Sequence, residues 1–255
     1  MYKAEGFSEK EVAFSLDSRM VLIKKIPVDA VLEEIQLEDQ INWEVEQFAI
    51  SPIKEYIIDY ETLPFSEGNV VKNMLVVVVR KKIVRFLRQL FKHTDLHLKV
   101  IDVDIFSAQR ALQVNYECNN GAKIGLIDIE NGNILFSILQ GQGFFLTQDI
   151  HAPHITGESE NHDESTTRLI AKELRRLILD HQLGAGVEDL SEIFLYGESV
   201  EDGVLEGLQN SYDVRIDRAN PFKKVKMTPD VKEDISEARA ERFVICVGAA
   251  LRGIQ

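Results

Sequence analysis

Apolar residues recur along this chain in two rhythms, every second position and every third or fourth, and the switching between them predicts a mixed α/β protein. Residues 11–16 and 20–26 read as strands, with Asp17-Ser18-Arg19 as the turn between them and Pro27 as the end of the second. Asp29 can cap the helix that follows, because a short carboxylate accepts hydrogen bonds from the first free backbone N–H groups. Leu37, Ile41, Val45 and Phe48 lay one apolar stripe along that helix, and Pro52 closes it. Residues 56–60 and 74–79 are two more strands. The run Val76-Val77-Val78-Val79 predicts burial on both faces. Ile83, Phe86, Leu87, Leu90 and Phe91 then follow helical spacing, so residues 10–97 form one β-β-α-β-β-α unit.

The second half has a different rhythm. A strand at 98–103 leads into a helix at 105–114. Residues 122–129, 133–140 and 143–149 are three strands joined by tight turns. Asn131-Gly132 is the clearest hairpin signal, because both residues tolerate φ > 0. The polar stretch 151–164 reads as a loop. Ile170, Leu174, Leu177 and Ile178 mark a long helix that Gly184 and Gly186 end. A buried strand at 193–196, a short helix at 204–210 and a short strand at 214–216 follow. The last helix, 243–251, is apolar and small, and Gly248, Ala249 and Ala250 allow close backbone approach.

Composition narrows the function. The 255 residues are 45% hydrophobic, enough for a packed core and too apolar for disorder. The formal net charge of −13 disfavours nucleic-acid binding and direct membrane insertion, because both partners are anionic. Arg80, Lys81, Lys82, Arg85 and Arg88 are a local exception, read as the solvated face of one helix. No stretch reaches the roughly 20 apolar residues of a spanning helix, and the first residues carry no signal-like segment. Cys118 and Cys246 make neither a disulfide framework nor a metal spacing, and Cys246 reads as a small core residue. These features fit a cytoplasmic protein.

Candidate chemistry is sparse. Neither a dinucleotide fingerprint nor a P-loop is present, and Gly141-Gln142-Gly143 reads as a strand connection. No serine or cysteine sits in a nucleophile elbow. His151, His154 and His162 share a polar stretch with Glu158, Glu160, Asp163 and Glu164, but Pro153 prevents helical ligand spacing there, so no metal site is expected. Asp102 and Asp104 follow a strand, where active carboxylates can sit. They also suit a helix N-terminus, which favours anions, and that reading is preferred. No catalytic residue is assigned.

Trp43-Glu44-Val45-Glu46-Gln47-Phe48, then Pro52, then Ile58-Asp59-Tyr60 resemble the PilM family of type IV pilus assembly proteins. Val76–Arg80, Val100-Ile101-Asp102-Val103, Leu126-Ile127-Asp128-Ile129, Ala219-Asn220-Pro221-Phe222 and Gly248-Ala249-Ala250-Leu251-Arg252-Gly253 match in order. The resemblance implies an actin-like fold related to the cell-division protein FtsA. It would have a ribonuclease-H-like core, incomplete in this chain, with an inserted small α/β subdomain. Residues 1–97 would be the small subdomain and residues 98–255 the core remnant. Family members bind ATP with Mg between two core halves and hold the cytoplasmic tail of an inner-membrane pilus protein.

Departures from the family fall on the nucleotide site. The family's first phosphate loop lies in a segment upstream of the part that this chain matches. Its second loop reads Asp-Ile-Gly, with Thr four residues after the Gly. The corresponding residues are Asp128-Ile129-Glu130, with Asn131 and Gly132 in the turn and Ile134 in place of the Thr. The adenosine-side loop, a run of small residues in the family, reads Tyr196-Gly197-Glu198-Ser199. The family's helical subdomain after the strand near Asp149 is replaced by the stretch 151–164. A carboxylate facing a phosphate repels it. The expectation is therefore a non-enzymatic cytoplasmic scaffold without a cofactor, in a type IV pilus or type II-like secretion platform. It would sit peripheral to the inner membrane by binding the tail of a membrane partner, with homo-oligomerisation left open. The alternative is an actin-like ATPase using Asp128 and the Gly197 loop.

Overall fold

The computed structural model describes residues 9–63, 70–117, 119, 121–141, 143–152, 162–226 and 239–254. The chain divides into two compact units, Met1–Asp104 with Ala249–Gln255, and Ile105–Gly248.

The first unit holds two small sheets. Strand β1 (Glu11–Leu16) pairs in parallel with β5 (His97–Val103), with a bulge between Val12 and Ala13. Between them in sequence, β2 (Val21–Asp29), β3 (Tyr56–Thr62) and β4 (Val71–Arg80) form an antiparallel sheet in the order β2-β4-β3. Helix α1 (Glu34–Phe48) packs Ile41 and Val45 onto the face made by Ile26, Val28, Met74, Val76 and Val78. Helix α2 (Lys81–Lys92) follows β4 directly and buries Val84 and Leu87.

Several expectations for this unit are corrected. Pro27 does not end β2, which continues to Asp29 and pairs Pro27 with Asn73. β2 is an edge strand, where a missing N–H breaks no ladder bond. The longer strand moves the helix start to Glu34. Asp29 instead accepts a hydrogen bond from the Val31 N–H at 3.1 Å, and Gln36 accepts one from the Glu33 N–H at 3.2 Å. β4 is buried at Val76 and Val78, but Val77 and Val79 on its other face are both only half-buried.

Asp102 and Asp104 each accept a hydrogen bond within the first unit. Asp104 opens helix α3 (Asp104–Asn115) and accepts a bond from the Ser18 N–H at 2.9 Å. Asp102 is buried and accepts one from Arg252 Nη1 at 2.9 Å.

The second unit is a five-stranded sheet between helices. β6 (Lys123–Glu130), β7 (Asn133–Gln140) and β8 (Gly143–His151) form an antiparallel meander. β9 (Glu192–Tyr196) and β10 (Arg215–Arg218) extend it in parallel from β6, giving the order β10-β9-β6-β7-β8. That is the ribonuclease-H-like order, and the fold is actin-like α/β as expected. Helices α4 (His162–Asp180) and α5 (Asp202–Ser211) cover one face through Ile170, Leu174, Leu177, Val204 and Leu208. On the other face, α3 and helix α6 (Val244–Ile254) supply Ala108, Ala111, Leu112 and Val244 against Leu126, Phe194 and Tyr196.

Helix α4 starts at His162, within the stretch read as a loop. It ends before the glycines. Gln182 takes φ 52°, and the Leu183 N–H donates to the Ile178 carbonyl at 2.9 Å, so a glutamine occupies the left-handed capping position. Cys246 is exposed rather than a core residue, because α6 turns it away from the sheet. Cys118, Gln142, His154, Glu158 and Glu160 lie outside the described residues. No described helix is long and apolar enough to cross a membrane.

Candidate functional site

Two loops meet at one end of the five-stranded sheet because β6 and β9 pair in parallel there. Register places Asp128 beside Tyr196 on one side and Leu135 on the other. The β6–β7 turn at Asn131 and Gly132 is tight, with φ +85° at Gly132; Asn131 does not share the positive φ expected of it. Beyond β9, Gly197 takes φ +108° and lies on β6. A Cβ there would sit 2.4 Å from Asp128 Oδ1 and 2.6 Å from the Ile129 carbonyl. Only glycine fits this approach.

The loop after Gly197 is bonded to β6 and its turn. The Ser199 N–H donates to the Ile129 carbonyl at 2.9 Å. The Glu198 N–H donates to Glu130 Oε1 at 3.3 Å. A backbone N–H at the mouth of the two loops, of the kind that would face an anion, thus faces the protein's own carboxylate. Asp128 is buried at the sheet end, 5% exposed. Ile134 and Tyr196 are buried in the apolar clusters on the two sheet faces. The structure brings Asp128, Glu130, Asn131, Gly132, Gly197, Glu198 and Ser199 together at this one sheet end.

Sequence reasoning missed the cationic frame behind the second loop. Arg242 Nη2 donates to the Glu198 carbonyl at 3.3 Å, and its Nε lies 3.5 Å from the Glu198 carboxylate. Arg239 and Arg218 both donate to the Val200 carbonyl, at 2.9 and 2.6 Å. Arg218 also pairs with Asp202 at 2.5 Å and with the buried Glu241. The only sequence signal was the alternating charge of Arg239, Glu241 and Arg242 just before the last helix.

No group of three metal-ligating side chains occurs among the described residues. His151 ends β8 and bonds to Asn133 at 3.1 Å. Glu164 pairs with Arg168 on α4.

A second feature lies in the first unit. Asn42 and Glu46 of α1, with Ile53, Lys54, Tyr56 and Ile58, line a groove beside β3. β3 is an edge strand. The groove has an apolar floor and one charge of each sign at its rim. The Tyr56 hydroxyl accepts a bond from the Ser51 N–H at 3.2 Å. Burial pushes the Tyr56 phenol up, but hydrogen bonds from Ser51 and Arg80 outweigh it and leave it below its ordinary value. Nearby Tyr60 is held above its ordinary value by burial and by the carboxylates of Glu38 and Glu34.

The family model described as type IV pilus assembly protein PilM matches residues 1–151. The solved PilM-PilN type IV pilus biogenesis complex overlays with a TM-score of 0.80, covering 100% of this chain and 83% of that one at 18% identity. A protein of actin-like ATPase fold from Bacteroides thetaiotaomicron VPI-5482 overlays at 0.46, with 12% identity over 92% of this chain and 71% of that one. A diol dehydratase-reactivating factor reaches 0.48, with 11% identity over 86% of this chain and 49% of that one.

Proposed function

This chain belongs to the type IV pilus assembly protein PilM family, and we propose that it works there as a non-enzymatic cytoplasmic scaffold that holds the cytoplasmic tail of an inner-membrane partner and binds no nucleotide. The observation that carries the nucleotide part is the Glu130 carboxylate accepting the Glu198 N–H at 3.3 Å. A phosphate there would have to displace a bonded carboxylate and then sit beside its charge. Ile134 supports the same reading, since it is sealed in the core with no hydroxyl to offer. These residues do not suit Mg-ATP, and no step of a reaction is assigned to them. One observation favours the alternative ATP-binding reading: Asp128 and Gly197 still lie together at the sheet end.

The test is thermal unfolding in rising Mg-ATP. The melting temperature should stay flat to millimolar nucleotide. Binding at about 100 times Kd would add about 2.7 kcal/mol and a rise of several degrees, and a dose-dependent rise would sink the scaffold reading.

The partner part rests on the groove beside β3. The complex that overlays this chain contains PilN, and we assign to this chain a partner of the same kind. An extended tail could lie in the groove along the β3 edge, with its apolar side chains over Tyr56 and Ile58. Ile58→Arg should therefore abolish capture of the membrane partner from a detergent extract, a loss of at least about tenfold in affinity, because a buried unpaired cation replaces an apolar floor. Unchanged capture would place the tail elsewhere. Its position against the inner membrane would come from this partner.

A further inference from the structure

The two long helices of the first unit carry opposite charge beside exposed apolar side chains. α2, with Arg80 before it, holds Lys81, Lys82, Arg85, Arg88 and Lys92 and no acidic residue. Among the described residues, Lys82, Arg85, Arg88 and Lys92 form no ion pair. On the same helix Phe86 is 62% and Leu90 52% exposed, one turn apart. The helix buries Val84 and Leu87 on its own unit, so its apolar surface continues past the covered face into solvent beside the cations. Exposed aromatic and aliphatic side chains rimmed by charge mark interaction surfaces.

α1 is the converse. It carries Glu34, Glu38, Asp39, Glu44 and Glu46 and no lysine or arginine. Ile35, Asp39 and Trp43 follow one another at four-residue steps, so they line one strip of the outer surface. Ile35 is 75% and Trp43 58% exposed.

We propose that the outer face of α2 on one copy docks against the Ile35–Asp39–Trp43 strip of α1 on the next, joining copies head to tail. The cations and exposed apolar side chains of α2 are complementary to an acidic, apolar surface, and α1 of this chain presents one. Two different patches meet in such a contact, so it is heterologous. It propagates into a ring or filament rather than closing as a two-fold dimer. Trp43 and Phe86 are the anchors, and the charges set orientation, rate and salt dependence. The strip borders the groove beside β3 but is separate from its apolar floor, so the two surfaces can be tested apart.

The experiment is light scattering on size-separated full chain over a range of concentrations. At about 0.1 M salt the Debye length is about 10 Å, and at about 1 M it is about 3 Å. In low salt the mass should rise with concentration past twice the monomer, and in high salt the same rise should need a higher concentration. Arg85→Glu with Arg88→Glu should give monomer, as should Asp39→Ala with Trp43→Ala. Mixing these two variants should give a species of twice the monomer mass and nothing larger, because each retains the one surface the other lacks. That mixed dimer also shows that both variants are folded. The proposal is overturned by a monomer at every concentration in low salt, by assembly that ignores salt and both variant pairs, or by a closed dimer. It is equally overturned if the monomeric chain binds phosphatidylglycerol vesicles through α2 and loses this with Arg85→Glu and Arg88→Glu.

Discussion

Gly248→Ala is expected to destabilise the protein by about 3 kcal/mol or more, reversing the usual sign of a glycine-to-alanine change inside a helix. In an exposed helix interior, alanine is favoured by about 1 kcal/mol, because glycine loses more backbone entropy on folding. Gly248 is buried in α6, where a Cβ would sit 1.7 Å from the Ser107 carbonyl oxygen of α3 and 2.4 Å from its carbon. Those atoms are backbone and cannot swing aside. Arg110 holds the same crossing by donating to the Gly248 carbonyl at 3.1 Å. Inserting a methyl group would push the helices apart along Ala108, Ala111 and Val244, part of the core on that face of the sheet. For a unit of this size, about 3 kcal/mol corresponds to a melting temperature lower by roughly 6–12 °C. The contrast is Ala250→Gly, two residues on and exposed, which should cost only about 1 kcal/mol. If the alanine at 248 melts at or above the parent, α3 and α6 do not meet as described.

That crossing was legible in the sequence, because Gly248 and Ala249 are small residues in an otherwise apolar helix. The meander β6-β7-β8 was legible for a similar reason: the hydrophobic runs and the turn at Gly132 are local signals. What the sequence concealed was tertiary. Pro27 reads as a breaker until β2 is known to be an edge strand. Cys246 sits in a run of apolar residues that gives no clue which face of α6 looks outward. Gln182 takes a left-handed conformation that glycine, two residues on, advertised more strongly. At the sheet end, Glu130 stood out as a substitution in a recognisable pattern. That its carboxylate reaches the Glu198 N–H follows only from the parallel pairing of β6 with β9. The arginine frame left only the alternating charge before the last helix as a signal, since Arg218 and Arg239 meet at Val200 from distant parts of the chain.

Gly197→Ala is the second large effect expected, and it also probes the candidate site. At φ +108° an alanine is strained by about 1–3 kcal/mol before any contact is counted. Its Cβ would then meet Asp128 Oδ1 at 2.4 Å and the Ile129 carbonyl at 2.6 Å. A carboxylate can rotate aside, but the Ile129 carbonyl is fixed by the sheet and by its bond from the Ser199 N–H at 2.9 Å. The loop must lift off β6, releasing that bond and the Glu198–Glu130 bond together. A total loss of about 3–4 kcal/mol follows, measured by urea unfolding, with faster hydrogen exchange at the Ser199 amide. Glu130→Ala removes a half-buried acceptor from the rim and should cost less, about 1–2 kcal/mol. The cost of Gly197→Ala should appear in full without nucleotide, because the glycine seats the loop on the protein's own backbone. An unfolding curve that matches the parent until Mg-ATP is added would assign the glycine to a bound nucleotide instead, and with it restore the ATP-binding reading.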